Sequence, residues 1–224
     1  MTIETITDLE RRAAVYAALS DPARLRVVDL LARGDLSSTE LQAAIGISSN
    51  LLAHHLGVLE ERGILVRRRS QGDRRRSYVH LLPEAIPGLA SAVAVPTHRV
   101  VFVCTANSAR SQLAAAIWRQ SSAIPATSAG THPADRIAPG AIKAAQRHHL
   151  DFENALPQSI DDVLGATDFV ITVCDTAHEE LRHADAIHWS VPDPVLVGTA
   201  AAFDTAYDDL AHRVNELAPR LTAA

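Results

Sequence analysis

Residues 101–112 read VFVCTANSARSQ: an apolar run, a cysteine, five small residues, then Arg110, Ser111 and Gln112. The run reaches back as RVVFVC and the loop hands over to SQLAAAIWRQ. The first is a β-branched stretch suited to a buried strand, the second a helix pattern. A strand passing into a helix through a short loop is one step of an α/β fold, and the loop decides its chemistry. Thr105, Ala106, Asn107, Ser108 and Ala109 are small enough for successive backbone N–H groups to turn inward as an anion nest. The helix starting near Ser111 adds the positive end of its dipole, and Arg110 offers a two-pronged donor for a tetrahedral oxyanion. The same positive features favour a thiolate at Cys104, with the Ser111 hydroxyl placed to hydrogen-bond it. Spacing alone is weak: two cysteines and 20 arginines in 224 residues meet a Cys-x5-Arg by accident with odds of about one in five. The strand before and the helix after give the spacing its meaning.

Downstream the alternation continues. ATSAGT, TDFVITVC and AIHWSV read as strands; GAIKAAQRHHL, HEELR and FDTAYDDLAHRVNELA read as helices. This predicts a four-stranded parallel sheet flanked by helices, with ligands beyond the carboxyl ends of its strands. Cys104, Cys174 and Asp193 each fall at or just after such an end, which makes a shared site the natural expectation. Asp193, stiffened between Pro192 and Pro194, is a candidate general acid, although an ordinary Asp-Pro turn has the same residues. Cys174 is either a second working thiol or a buried structural one. His178, His183 and His188 recur every five residues, which does not stack them on one helical face, and no metal site is expected.

Upstream, residues 1–95 hold 12 arginines against 11 acidic residues, a balance of +1. Residues 96–224 hold nine basic and 15 acidic residues, a balance of −6. Two domains of different kind follow, 1–95 and 96–224, with a seam in SAVAVPTHR. In the first, helical periods run through RRAAVYAALS and ARLRVVDLLARG, with Asp21-Pro22 as a start and Gly34 as a stop. STELQAAIG gives a third helix and SSNLLAHHLGVLEERG a fourth, capped by Ser48, with Leu52, Leu56 and Leu59 on one face. ILVRRRS and RRSYVHLL flank Gln71-Gly72-Asp73 as a hairpin with a basic tip, which completes a mainly α winged helix-turn-helix. In that geometry the fourth helix enters the major groove and presents Ser48, Ser49, Asn50, Ala53 and His54 to DNA. Arg67, Arg68, Arg69, Arg74, Arg75 and Arg76 meet phosphates. Of the adjacent pair His54-His55, one should be exposed and one buried, since neighbours on a helix point apart. EAIPGLASAVAV is expected to be a terminal helix at a dimer contact. The overall charge is −5, and no apolar run is long enough to span a bilayer, so a cytoplasmic protein with no membrane partner is expected.

AALSDPARLRVVDLLARGDLSSTELQAAIGISSNLLAHHLGVLEERGILVRRR resembles the ArsR-type repressors over roughly residues 8–82. The resemblance implies a homodimer, formed through this domain, on a two-fold operator. Arsenic-sensing members carry Cys-x-Cys where this chain has Ser37-Ser38-Thr39, so that sensor site is absent. CTANSARSQLAAAIWR, ATSAGTHPA and HWSVPDP resemble the low-molecular-weight tyrosine phosphatases, and more closely their arsenate reductase branch, over nearly all of 99–200. By that resemblance Cys104 is the nucleophile, Arg110 the oxyanion clamp, Ser111 its helper, Asp193 the acid and Cys174 the second thiol. Ala109 stands where plain phosphatases usually carry a second loop cysteine, and only Tyr207 follows the acid loop as a candidate aryl grip. A third relay cysteine, seven residues after Cys174, is replaced by Leu181. The remaining routes are a direct Cys104–Cys174 disulfide reduced by a thioredoxin-type dithiol, or attack by a small thiol such as mycothiol or glutathione completed by a redoxin. No bound cofactor is implied. A phosphomonoester hydrolase, and a repressor using the loop as an oxyanion or redox sensor, remain open beside the reductase.

Overall fold

The computed structural model describes residues 3–86, 95–152, 155–181 and 186–224. The chain divides into two compact units, Met1–Ser70 with Arg75–Ser91 and Gln71–Arg74 with Ala92–Ala224. Most of the helix expected at EAIPGLASAVAV, much of the seam and His183 lie outside the described residues. Of that expected helix, a single 3-10 turn at Pro83–Ala85 is described.

The first unit runs α1 (Ile3–Leu19), α2 (Pro22–Leu31), β1 (Leu36–Ser37), α3 (Ser38–Ile45), α4 (Ser49–Glu61), β2 (Leu65–Arg69) and β3 (Ser77–Leu81). Its boundaries follow from capping chemistry. Asp21 accepts from the N–H groups of Ala23 and Arg24 at 2.9 and 3.0 Å, ahead of Pro22 in the first turn of α2. Ser37 and Glu40 close a capping box on α3, and Gly46 ends it at φ +76°, a conformation that favours glycine. Ser48 caps α4 through Leu51 N–H. The apolar faces of these helices meet the hairpin in one core that includes Val27, Leu41, Leu52, Leu56, Leu59, Ile64 and Val79. β2 and β3 pair antiparallel from Leu65↔Leu81 to Arg69↔Ser77, so Arg74–Arg76 belong to the connection rather than the second strand. β1, too short to show a pattern in the sequence, adds a third strand against β3. His54 is exposed and His55 buried, as expected of neighbours.

The second unit runs β4 (Val95–Thr97), β5 (Val100–Cys104), α5 (Arg110–Ser121), β6 (Ala126–Gly130), α6 (Pro139–Arg147), α7 (Ile160–Val163), β7 (Phe169–Thr172), α8 (Asp175–Leu181), β8 (Ile187–His188), α9 (Pro194–Val197), α10 (Ala200–Leu217) and β9 (Leu221–Ala223). Four strands form the expected parallel sheet in the order β6-β5-β7-β8. β5 lies inside that sheet and is buried along its whole length, which is why its sequence is continuously apolar rather than alternating. Phe102 packs between Trp118 of α5 and Trp189, ring centres 5.9 and 5.8 Å away. α10 packs on α5 and α6. A separate parallel pair, β4 with β9, was not anticipated, since three-residue strands carry no period. No helix among the described residues is long and apolar enough to cross a membrane.

Candidate active site

Sheet register places the two cysteines. β5 and β7 are neighbours with Val103 opposite Thr172, and Val173 N–H donates to Val103 C=O at 2.7 Å. Cys104 and Cys174 therefore leave the same end of adjacent strands. Cys174 Sγ lies 3.3 Å from the Thr105 hydroxyl, directly behind the loop.

The loop 104–109 is turned inside out by its surroundings. The carbonyls of Cys104, Thr105, Ala106 and Ser108 accept from the N–H groups of Thr131, His132, Ala134 and Ala138 at 2.8–3.1 Å. The Asn107 carbonyl accepts from Gln112 Nε2 at 3.2 Å. In a trans peptide the following N–H points opposite to the carbonyl, so outward carbonyls leave inward N–H groups. The loop is a cradle of donors for an anion. Two backbone features permit it. Asn107 sits at φ +48°, a region that asparagine tolerates better than most residues. Gly130 of β6 abuts the loop so closely that a Cβ there would fall 2.6 Å from Thr105 O and 3.0 Å from Asn107 N.

Hydrogen-bond polarity can be followed atom by atom. The Gln158 backbone N–H can only donate, and it gives to Asn107 Oδ1 at 2.9 Å. That fixes Nδ2 toward Ser111 Oγ, 2.8 Å away. Ser111 is then free to donate its own proton to Cys104 Sγ at 3.0 Å, and Asn107 N–H donates to the same sulfur at 3.2 Å. The sulfur thus accepts two hydrogen bonds, an arrangement that would stabilise negative charge on it. Asn107 and Ser111 are fully buried. Asn107 belongs to the loop predicted from the sequence. Gln112, Gly130 and Gln158 do not, and only fold context ties them to Cys104.

Arg110 opens α5 and is 8% exposed. Its Nη1 donates to Val191 C=O at 3.0 Å and its Nη2 to Asp193 Oδ2 at 2.7 Å. Asp193 Oδ1 accepts from Val195 N–H at 2.9 Å and caps α9. The predicted acid and the predicted clamp are therefore ion-paired. Burial pushes the Cys174 thiol up, against the pull of the Arg110 charge. Asp175 is also buried; burial raises its carboxyl, but hydrogen bonds from His188 and Ser190 outweigh it and the carboxyl lies below its ordinary range. His188 Nε2 is 3.1 Å from Asp175 Oδ1, and the His188 ring stacks on His178 at 4.1 Å, a contact between β8 and α8 that five-residue spacing does not reveal. Leu181 packs against the core. Tyr207 stacks on His148 at 3.6 Å, away from the residues that line the cavity over Cys104.

Ser48, Ser49, Asn50, Ala53 and His54 are exposed on or just before α4, and Arg67, Arg68, Arg69, Arg74, Arg75 and Arg76 are exposed along β2 and the connection after it. Arg67 is tethered, its guanidinium paired with Glu60 through Nε at 3.0 Å and a shorter Nη2 contact. Ser37 is buried and committed to its capping box; Ser37 and Ser38 belong to the turn that starts α3.

Comparison with known proteins fits this geometry. Residues 99–224 match the family described as low molecular weight phosphotyrosine protein phosphatase, and residues 19–68 match a helix-turn-helix domain. An arsenate reductase of Bacillus subtilis (strain 168) is 32% identical over 131 residues, 53% of this chain and 94% of that protein. A solved arsenate reductase in the phosphate binding state superposes with a TM-score of 0.50 at 25% identity, over 56% of this chain and 100% of its own. The tyrosine phosphatase Wzb from Escherichia coli K30, solved with sulphate, also has a TM-score of 0.50. It is 18% identical over 55% of this chain and 97% of its own, a likeness of fold alone.

Proposed function

Because the chain belongs to the low-molecular-weight phosphotyrosine protein phosphatase family through residues 99–224, we propose that this half is a thiol-dependent arsenate reductase, fused to an ArsR-type DNA-binding regulator at residues 1–95. The observation that carries the reading is the pair of sulfurs: Cys104 on the floor of the donor cradle, with Cys174 behind it on the neighbouring strand's exit. A hydrolase of oxyanion esters needs only the first. The curated relative in Bacillus subtilis, named an arsenate reductase and covered over 94% of its length, supports the same choice.

In this mechanism the Cys104 thiolate attacks arsenic(V) held by the inward N–H groups and Arg110. A sulfur–arsenic bond forms, an arsenic–oxygen bond breaks, and the departing hydroxide leaves as water with a proton from Asp193. A second thiolate then attacks Cys104 Sγ. A disulfide forms, the sulfur–arsenic bond breaks with its electron pair on arsenic, and arsenite leaves. Cys174 supplies that thiolate, or an external small thiol does. An outside dithiol returns the disulfide to thiols. With Leu181 filling the third position by packing, no third thiol of this chain takes part at that position. The regulator half binds operator DNA as a homodimer, with α4 in the major groove and the wing arginines on phosphates.

The test is arsenite production from arsenate by the purified chain, with thioredoxin and its reductase in one arm and mycothiol or glutathione with a glutaredoxin-like partner in another. Arsenite is expected in one arm, and Cys104→Ser abolishes it while DNA binding persists. Arsenite formed by Cys104→Ser removes the assigned nucleophile. Turnover of an aryl phosphate without thiol, and no arsenite in either arm, makes the domain a phosphatase instead.

A further inference from the structure

Helix α4 carries a glycine that the chain itself does not call for. Gly57 is the ninth of its 13 residues. A glycine in a helix interior weakens the helix relative to alanine, because its backbone has more freedom to lose. Two demands usually justify one: a left-handed backbone or a close neighbour. Gly46 and Gly63 answer the first, at φ +76° and +65°. Gly130 answers the second. Gly57 answers neither. Its φ lies outside the left-handed region, and among the described residues a Cβ added there would meet no atom within 4 Å beyond its own stretch of helix.

The face on which it sits supplies the missing demand. Leu52, His55, Leu56 and Leu59 turn into the core. Asn50, Ala53 and His54 lie on the other side, exposed, and Gly57 follows them by seven, four and three residues, the spacing of one helical face. We propose that Gly57 is where the sugar–phosphate wall of the DNA major groove comes closest to α4, its missing side chain letting the helix seat at full depth. This rests on the reading of the first unit as a DNA-binding regulator.

A glycine has no side chain with which to read a base edge, and in mid-helix its N–H is committed to the turn before it. Closeness is all it contributes. The surface that gains from closeness alone is the groove wall, and the exposed arginines of β2 and the connection after it give this unit the charge that a polyanion needs. The contact ends within one further turn. Glu60 is paired with Arg67, but Glu61 is an exposed carboxylate, which would repel a phosphate.

The test compares Gly57→Ala and Gly57→Gln with the wild type, all as full chains, on a duplex that the wild type selects from a random-sequence pool. Alanine should strengthen the helix, slowing hydrogen exchange of the α4 amides by up to about fivefold. The same variant should bind the duplex about tenfold more weakly, and glutamine more weakly still. The preference among sequences should not change, and the log–log salt slope should become shallower by about one. A strengthened helix with undiminished affinity, a helix that alanine weakens, or an altered base preference overturns the proposal. So does self-association of Gly57→Ala that falls in step with its DNA affinity in sedimentation, since the face would then meet a second copy of the chain. A wild type that enriches no duplex from the pool removes the DNA-binding reading itself, and this inference with it.

Discussion

The two halves of the chain present arginine in opposite ways. The wing carries Arg67, Arg68, Arg69, Arg74, Arg75 and Arg76, all exposed. Among the described residues, the catalytic half sets one arginine over Cys104, nearly buried and held by two hydrogen bonds. A phosphate backbone is a long, repeating anion that tolerates many loosely placed charges, and its affinity scales with how many are engaged. A tetrahedral oxyanion about to change its bonding tolerates little misplacement, and one preorganised fork does more there than several mobile charges. Charge number serves the first half; charge position serves the second.

Arg110→Lys tests that contrast hardest. It keeps the charge and removes the fork, and should cost about 10²–10³ in kcat/KM for arsenate. Steady-state arsenite formation measures it, and near wild-type turnover would mean that charge alone suffices. On the wing, Arg69→Ala should weaken binding to all DNA sequences alike and reduce the log–log salt slope by about one. Arg67→Ala should change the slope less, since Glu60 already neutralises that guanidinium; equal slopes for the two would erase the distinction between tethered and untethered wing charges. The smallest effect lies between the extremes, at Arg99. Its Nε donates to Asp168 Oδ1 at 2.9 Å. Burial pushes the Asp168 carboxyl up, but hydrogen bonds from Arg99 and Gly165 N–H outweigh it and hold it below its ordinary range. A lowered carboxyl stabilises the fold above the ordinary carboxylate range and loses that contribution as the medium is acidified through and below it. Asp168→Asn should therefore cost about 1 kcal/mol at neutral pH, a modest figure because the half-buried Arg99 keeps 38% of its side chain in solvent. In urea unfolding the gap from wild type should close on acidification, and a gap that widens there would reverse the sign.

Much of this is legible in the amino-acid sequence wherever the signal is local. RVVFVC–TANSA–RSQLAAAIWRQ announces strand, loop and helix, because burial on both faces, small loop residues and a helical period each leave a mark within a few positions. The helix-turn-helix is similarly local: Asp21-Pro22, Ser37 with Glu40, Gly46 and Ser48 are all capping signals read over three or four residues. What stayed hidden depends on distant segments meeting. Gln158 N–H orients Asn107 from 51 residues away, and Gly130 matters because the loop comes back against it. The Arg110–Asp193 ion pair spans 83 residues. β4 and β9 lie at opposite ends of their domain. None of these has a period or a spacing to betray it.

The register of β5 against β7 also bears on how this site can vary. Val103 opposite Thr172 keeps the two sulfurs in step, whatever runs between them. The connection from Thr131 to Asp168, with α6 and α7, can gain or lose residues at its surface turns without shifting that register. The number of residues separating Cys104 from Cys174 is thus a poor signature for the pair. A search for related proteins keyed to that interval would miss members with a longer or shorter connection. One keyed to a cysteine that ends one parallel strand and a second just beyond the end of its neighbour would find them.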